Sequence, residues 1–259
     1  MSAGNYERRR LFVIQRAAHL WSVKKPPFKP ITLVLLPGLD GTDVFFRPLL
    51  MTLPEWIAPL VVHFPPSGVN EYPDLLQMIR AMLAETPRYY VLGWSFSGPL
   101  ALMLAQAEPE KVQGVVLVSS FVRPPRRLFA QLRWAAITPV VWLLRFGKRL
   151  PVWLSRSSND RLRLDKTETW KRVNAEMIAA RIRTLLDVDA RHLLKHCPCP
   201  VLCVVGGNDR IVPYDNVEEM ARIRESVRVR TITGEHFAIY TNPTAALAAI
   251  TEFIITETR

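Results

Sequence analysis

The chain has 259 residues, of which 49% are hydrophobic and 22% are charged, a composition typical of a globular protein and unlike that of a disordered one. No apolar run reaches the roughly 18 residues of a transmembrane helix, and the N-terminus lacks a signal-peptide cleavage pattern, so we expect neither feature. Three cysteines, an odd number, argue against a disulfide framework and favour the cytoplasm.

The formal net charge of +11 comes from one segment. Residues 121–195 contain 17 Lys/Arg and 6 Asp/Glu, whereas the rest of the chain contains 17 of each. Because the excess of basic residues is confined to this segment, we expect no nucleic-acid partner for the chain as a whole.

Short apolar runs that alternate with helical patterns predict a parallel sheet. All but the last run are nearly continuously apolar, as in strands covered on both faces. The predicted strands are 31–36, 58–64, 89–93, 114–120, 200–206 and 227–232, and the predicted helices are 72–85, 97–108, 215–224 and 243–257. This alternation indicates an α/β fold with a mostly parallel, doubly wound sheet.

The alternation is interrupted once. Residues 121–195 have helical periodicity, proline breaks and no good strand, which predicts a basic helical lid inserted into the core. The chain therefore divides into an N-terminal segment with the first part of the core (1–120), the lid (121–195) and the second part of the core (196–259). The first 30 residues fit either a helix or a strand.

The sequence "GWSFSG" (93–98) lies between a predicted strand and a predicted helix. Its Ser95 is either an ordinary turn residue or a nucleophile, because Gly and Ser suit any tight turn. A serine hydroxyl attacks only when an oriented neighbouring base takes its proton. The interpretation of Ser95 therefore depends on the residues that come after the other strands.

Suitable partners come after three other predicted strands. Asp209 comes three residues after the strand at 200–206, and His236 lies in the loop after the strand at 227–232. The loop after the first strand, "PGLDGTDVFF", is glycine-rich and can aim backbone N–H groups at a developing oxyanion. Because such loops collect beyond the carboxyl ends of parallel strands, we expect these groups to meet.

On these motifs the chain resembles the α/β-hydrolases of the serine esterase type with a helical cap, over about residues 31–259. "GWSFSG" resembles the nucleophile elbow, "LPGLDGTDVFF" the oxyanion loop, "GGNDRIVP" the acid loop and "GEHFAIYTNP" the histidine loop, and the order Ser95, Asp209, His236 is that of the family. The resemblance implies that Ser95 is the nucleophile, His236 the general acid/base and Asp209 the residue that orients His236. It also implies oxyanion donors at the backbone N–H groups of Leu39 and Phe96, and no cofactor.

Two positions depart from the family pattern. Ser97 stands where the elbow usually has its second glycine, with Gly98 one place later, and serine is small enough for the turn. The oxyanion loop begins with Pro37-Gly38 where the family often has His-Gly. Since that histidine is structural in the family, we expect the chemistry to be retained.

The assigned residues have competing explanations. Asp209 could cap the following helix, although Asp215 also suits that position. The other histidines do not lie in a late post-strand loop; they are His19, His63, His192 and His196. Cys197, Cys199 and Cys203 lie near two of these histidines, but the spacing matches no zinc pattern, so we expect no metal site.

The predicted activity is hydrolysis of carboxylic esters, with apolar lid residues 134–144 favouring a hydrophobic acyl group. Phe45, Phe46 and Trp94 fit either an acyl pocket or the aromatic core. A second hypothesis is a thioesterase or carrier-linked ester hydrolase, and a third is a ligand-binding protein that keeps the fold without turnover. The family also contains acyltransferases, lyases and carbon–carbon hydrolases with the same triad.

The basic lid has three interpretations. It is a solvated helical face, a docking surface for an acidic partner such as an acyl-carrier protein, or a surface that rests on an anionic membrane. Trp134, Trp142 and Trp153, which alternate with basic residues, keep the membrane interpretation open.

Overall fold

A computed structural model describes residues 30–68, 70–125 and 160–258. The alternatives for the N-terminal segment, the first half of the lid and its tryptophans at positions 134, 142 and 153 fall outside these ranges.

Within the described ranges, six strands form one sheet. They are β1 (Ile31–Leu36), β2 (Ile57–Val61), β3 (Tyr89–Trp94), β4 (Val112–Val118), β5 (Val201–Gly206) and β6 (Arg228–Ile232). Their order across the sheet is β2-β1-β3-β4-β5-β6, and every neighbouring pair is parallel. The predicted strands and the parallel α/β architecture are confirmed.

Helices connect the strands on both faces of the sheet. A 3₁₀ turn (Val44–Phe46) is followed by α1 (Arg47–Leu50), α2 (Tyr72–Met82), α3 (Ser97–Ala107), α4 (Asp160–Arg172), α5 (Ala175–Asp187), α6 (Arg191–Lys195), α7 (Asp215–Ile223), α8 (Ala238–Thr241) and α9 (Pro243–Thr258). The four predicted core helices correspond to α2, α3, α7 and α9. Helices α4, α5 and α6 lie in the segment predicted as the lid.

Side-chain alternation along the strands divides the core into two layers. In β1, Val34 and Leu36 pack in the layer that includes α2, α3 and α7, whereas Leu33 and Leu35 pack in the layer that includes α9. Strands β3 and β5 are buried at every position, and the edge strands β2 and β6 have exposed positions. Coverage of the central strands on both faces explains their continuous apolar sequences.

The parallel sheet sets where functional groups meet. The loops after β1, β3, β5 and β6 all leave the sheet at its carboxyl edge, where a doubly wound sheet places its ligand crevice. All three described helices of the lid segment contact the core. Leu162 of α4 packs in the layer that includes α9, α5 packs against Leu39 of the first loop, and Leu194 of α6 packs in the layer that includes α2 and α3. In the described ranges, no helix is both long and apolar enough to cross a membrane.

Candidate active site

Ser95 occupies a sharp turn between β3 and α3. Its backbone has a positive φ of 52°, in the left-handed region that residues other than glycine rarely adopt. The turn is held by three hydrogen bonds: Ser95 N–H donates to Val118 O (2.8 Å), Gly98 N–H donates to Ser95 O (3.2 Å) and Ser120 Oγ donates to the same oxygen (2.6 Å). A strained backbone that is over-determined in this way is a common feature of functional sites.

Steric limits explain the unusual order of small residues in this turn. A Cβ on Gly98 would lie 1.8 Å from Ser120 Oγ, and a Cβ on Gly93 would lie 2.3 Å from the carbonyl oxygen of Ser97. Ser97 itself is fully buried, and its hydroxyl donates to the carbonyl oxygen of Pro37 in the loop after β1. The serine at the usual glycine position therefore links the turn to the neighbouring loop.

His236 connects Ser95 to Asp209. His236 Nε2 lies 2.9 Å from Ser95 Oγ, and His236 Nδ1 lies 2.9 Å from Asp209 Oδ2. The histidine is 6% exposed and the aspartate 8% exposed, so little water competes for these bonds. Because a carboxylate only accepts hydrogen bonds, Nδ1 carries the ring proton and Nε2 presents its lone pair to the serine hydroxyl.

Asp209 is held in its ionised form. Burial raises the pKa of its carboxyl group, but the neighbouring His236 ring and the backbone N–H groups of Val212 and Ile211 lower it more, so that the pKa lies below its ordinary value. Both N–H groups donate to Oδ1 at 2.9 Å, which leaves Oδ2 for the histidine. These bonds fix the orientation of the carboxylate toward the ring.

The two loops that carry these side chains are joined by their backbones. Gly207 N–H donates to Ile232 O (2.9 Å), and Asn208 N–H donates to Gly234 O (3.0 Å). A Cβ on Gly206 would lie 2.3 Å from the carbonyl oxygen of Glu235, so only glycine permits this close approach at the end of β5. Gly206 thus permits the acid loop to lie against the histidine loop, and the backbone N–H groups of Gly207 and Asn208 join the two.

The other candidate residues from the sequence occupy different environments. His63, His192 and His196 are exposed, and His19 lies outside the described ranges. Asp215 is an exposed residue in the first turn of α7, and the structure shows no side-chain cap on that helix. Cys197, Cys199 and Cys203 are buried free thiols, the first two with their Sγ atoms 3.8 Å apart.

The loop after β1 turns back on itself beside the elbow. Gly41 has φ +73° and donates its N–H to Gly38 O (3.0 Å), and Asp40 Oδ2 accepts the N–H of Thr42 (2.9 Å) as well as its hydroxyl. Among the described residues, no acceptor takes the backbone N–H of Leu39 or of Phe96. These are the two donors that the sequence resemblance implied.

The aromatic residues expected near the substrate are almost fully buried. Phe45, Phe46 and Trp94 are 4%, 0% and 3% exposed. The ring of Trp94 packs edge-on against Phe45 (5.4 Å between centroids) and Phe237 (5.3 Å), and it lies 6.0 Å from the ring of His236. This packing favours a supporting role beneath His236, and the role of these three residues in an acyl pocket stays a prediction.

Sequence reasoning missed the contacts made by the lid segment. Asp165 of α4 accepts a hydrogen bond from Tyr240 Oη (2.6 Å), and Lys166 places Nζ 4.0 Å from the ring centroid of Phe237. Burial lowers the pKa of Lys166, and the Glu235 carboxylate opposes that shift. Asp165 and Lys166 lie in the basic segment, and Phe237 and Tyr240 follow His236 in sequence. Nothing in the local sequence pattern distinguishes these four residues from surface residues.

The chain is similar to several known hydrolases. A pimeloyl-[acyl-carrier protein] methyl ester esterase from Xylella fastidiosa (strain M23) is 26% identical over 250 residues, covering 86% of this chain and 95% of that protein. A putative carbamate hydrolase RutD from Yersinia enterocolitica is 25% identical over 215 residues, covering 74% and 75%.

A solved carboxylesterase structure from the thaumarchaeon Nitrososphaera gargenis superposes with a TM-score of 0.73 at 17% identity, covering 88% of this chain and 91% of that chain, which shows a shared fold. The family model described as "Alpha/beta hydrolase family" matches residues 17–250. The match spans most of the chain and includes every loop of the candidate site, so this protein belongs to the alpha/beta hydrolase family.

Proposed function

We propose that this protein hydrolyses carboxylic esters through an acyl-enzyme on Ser95. The observation that carries the proposal is the continuous hydrogen-bonded series from Asp209 through His236 to Ser95, with 2.9 Å at each step. This is the arrangement that activates a serine hydroxyl at neutral pH. The names of the curated relatives, a methyl ester esterase and a carbamate hydrolase, support the same reaction class.

The first half of the reaction forms the acyl-enzyme. His236 Nε2 takes the proton of Ser95 Oγ as that oxygen bonds to the ester carbonyl carbon, and the carbonyl oxygen becomes an oxyanion. The Asp209 carboxylate stabilises the imidazolium that forms, because it faces Nδ1 and remains ionised. When the tetrahedral intermediate collapses, His236 returns the proton to the leaving alcohol oxygen.

The second half releases the acid. A water molecule enters where the alcohol left, His236 Nε2 takes one of its protons, and the water oxygen attacks the acyl carbon. Collapse of the second tetrahedral intermediate breaks the bond to Ser95 Oγ, which recovers its proton from His236. Atoms balance as one ester and one water giving one acid and one alcohol.

The oxyanion of each intermediate would accept hydrogen bonds from the backbone N–H groups of Leu39 and Phe96. Both donors lie next to fixed structure: Phe96 is fully buried and Tyr72 Oη donates to its carbonyl oxygen (2.7 Å), while Leu39 packs against α5. Donors held in place before the reaction stabilise developing charge without reorganising.

The segment 121–195 is proposed to cap this site. In support, α4 packs on the histidine loop through Asp165 and Lys166, and α5 packs on the loop that carries Leu39. A cap of this kind excludes water from the site and supplies apolar surface to the acyl group. Phe45, Phe46 and Trp94 would then support the acyl-binding side of the site from below.

A carrier-linked substrate is the second candidate. The cap segment holds 17 basic and 6 acidic residues, and one relative is named as acting on an ester linked to acyl-carrier protein. A positive surface would attract an acidic carrier and speed its encounter with the enzyme. Turnover of an acyl-carrier-protein methyl ester should therefore fall steeply with ionic strength, whereas turnover of a free methyl ester should not; equal salt dependence would reject recruitment by charge.

Fluorophosphonate labelling with subsequent peptide mapping tests the assignment of Ser95. The wild-type protein should carry the adduct on Ser95 and hydrolyse p-nitrophenyl acetate. Ser95→Ala should lose both properties while keeping its fold, and Ser226→Ala, at an exposed serine remote in sequence, should keep both. Labelling of another residue, or normal turnover by Ser95→Ala, would remove the basis of the proposal.

A further inference from the structure

A buried arginine joins the cap segment to the candidate oxyanion loop. Arg181 of α5 is 1% exposed. Its Nη1 donates to Leu39 O (2.9 Å), its Nη2 donates to Pro65 O (3.1 Å) and Asn70 Oδ1 (2.8 Å), and its Nε donates to the same Asn70 oxygen (3.1 Å). One guanidinium group thus binds two separate loops of the hydrolase core.

Burying the charged Arg181 side chain costs free energy. Burial lowers the pKa of Arg181 to about 10, and the nearby Asp40 carboxylate only partly opposes that shift, so the group is charged at neutral pH but poorly solvated. Within the described part of the chain it forms no direct ion pair; its hydrogen-bond acceptors are neutral oxygens. Burying a charge costs free energy that only well-placed hydrogen bonds offset, so the bonds to Leu39, Pro65 and Asn70 hold the guanidinium in one position.

The hydrogen bond to Leu39 bears on the direction of the Leu39 N–H group. The peptide before Leu39 is oriented by the bond from Gly41 N–H to Gly38 O (3.0 Å), since that oxygen and the Leu39 N–H belong to one plane. The peptide after Leu39 is oriented by Arg181 through Leu39 O. Both planes that flank Leu39 are therefore fixed, the second of them by a side chain from the cap.

The surroundings leave the guanidinium little freedom to shift. A Cβ on Gly41 would lie 2.6 Å from Arg181 Nη1, and the ring of Phe64 lies 5.3 Å from its Cζ. Asn70 is fully buried and is held in turn, because its Nδ2 donates to Met177 Sδ (3.0 Å), one helical turn before the arginine on α5. The planar group fits between the two loops as a rigid spacer.

We propose that Arg181 is a positioning residue, which fixes the peptide plane after Leu39 and so holds the Leu39 backbone in the conformation that presents its N–H group to the oxyanion. This inference rests on the proposed esterase function. Oxyanion contacts form only in the transition state, so a misplaced donor lowers kcat and leaves KM nearly unchanged. A residue that merely fastened the cap over the substrate would instead change KM.

The test compares Arg181→Lys and Arg181→Ala with a matched control, Arg183→Ala, at an exposed position two residues further along α5. We expect kcat for p-nitrophenyl acetate to fall at least about tenfold in Arg181→Lys, whose ammonium lacks the planar fork, and about 100-fold in Arg181→Ala, with KM changed less than about twofold. Millimolar guanidinium should restore kcat to Arg181→Ala, whereas equal ammonium should not. Arg183→Ala should match the wild type with and without guanidinium.

Each result decides a specific claim. Unchanged kcat in Arg181→Lys, or a rise in KM alone, overturns the positioning role, and Arg181→Lys keeps the test decisive if the alanine variant does not fold. Failure of the proposed function is distinguishable, because the wild-type protein itself would then neither hydrolyse the ester nor react with a fluorophosphonate at Ser95.

Discussion

Substitution of Asp209 by asparagine tests the catalytic assignment with almost no change in shape. The N–H groups of Ile211 and Val212 both donate to Asp209 Oδ1, so the new side chain would keep its carbonyl oxygen there and turn its NH₂ group toward His236. That NH₂ group is a donor. His236 Nδ1 would have to accept, and the ring proton would move to Nε2.

The magnitude of the effect comes from this change of tautomer. With a proton on Nε2, the lone pair that lies 2.9 Å from Ser95 Oγ is lost, and the ring cannot take the serine proton. In serine proteases the equivalent substitution lowers kcat about 10⁴-fold, or about 5.5 kcal/mol of transition-state free energy, and we expect a loss of this order. The opposite orientation of the amide would place two backbone N–H groups against its NH₂, which costs more than it restores.

Hydrolysis of p-nitrophenyl acetate measures the effect, with circular dichroism to confirm that the variant is folded. Asp215→Asn is the matched control, because Asp215 is an exposed carboxylate on the following helix and does not contact His236. Activity of Asp209→Asn within tenfold of the wild type would refute the reasoning. An equal loss in Asp215→Asn would show that the effect comes from net charge.

The contacts around the site also give three stability predictions. In urea titrations, Gly93→Ala should lower the free energy of unfolding by about 3 kcal/mol or more, because its Cβ would meet a backbone oxygen at 2.3 Å. Gly207→Ala should lower it by less than about 1 kcal/mol, because the nearest atom to its Cβ lies at 3.4 Å. Similar losses in the two variants would contradict the steric argument. Tyr240→Phe removes a 2.6 Å hydrogen bond to Asp165, and a double-mutant cycle with Asp165→Ala should give a coupling free energy of about 1–3 kcal/mol, whereas additive losses would mean that the bond contributes nothing. Burial raises the pKa of the Asp40 carboxyl group from its ordinary 3.8 to about 6, so the folded protein binds the carboxyl proton more tightly than the unfolded chain does. The protonated carboxyl group therefore favours the folded state at low pH, and this contribution to the free energy of unfolding is lost as pH rises from about 4 to about 6. Asp40→Asn should therefore become more stable relative to the wild type across that interval, and a flat difference in unfolding free energy would reject the shift.

The strands of the sheet were predictable because each one is marked by a short stretch of consecutive residues. Continuous apolar runs such as 31–36 and 89–93 mark strands buried on both faces, and the described strands begin and end within three residues of the predicted positions. The candidate site was predictable for a different reason, since parallel strands bring the loops after them to one edge. Ser95, Asp209 and His236 each come after a strand, so the topology alone places them together.

The supporting contacts were not predictable from such patterns. Ser97 was expected only to be tolerated in the turn, whereas its hydroxyl donates to Pro37 O. Arg181 and Arg183 lie two residues apart on one helix, and the first is buried while the second is exposed. One signal existed: Arg181 comes three positions after Ile178 and so shares the apolar face of α5. A cation on an apolar face needs acceptors that only the folded structure supplies.

The burial of Arg181 also changes how the division of the chain is understood. By composition, residues 121–195 form a basic insertion that is separate from the core, with boundaries set where the strand pattern stops and resumes. The structure places one cation of this insertion among Leu39, Pro65 and Asn70 of the core, where it satisfies three oxygens. Deleting the insertion would remove this donor and open the oxygens to water, so the two loops would lose the hydrogen bonds that orient them. We therefore expect the loop that carries Leu39 to depend on α5 for part of its shape, because Arg181 binds its backbone.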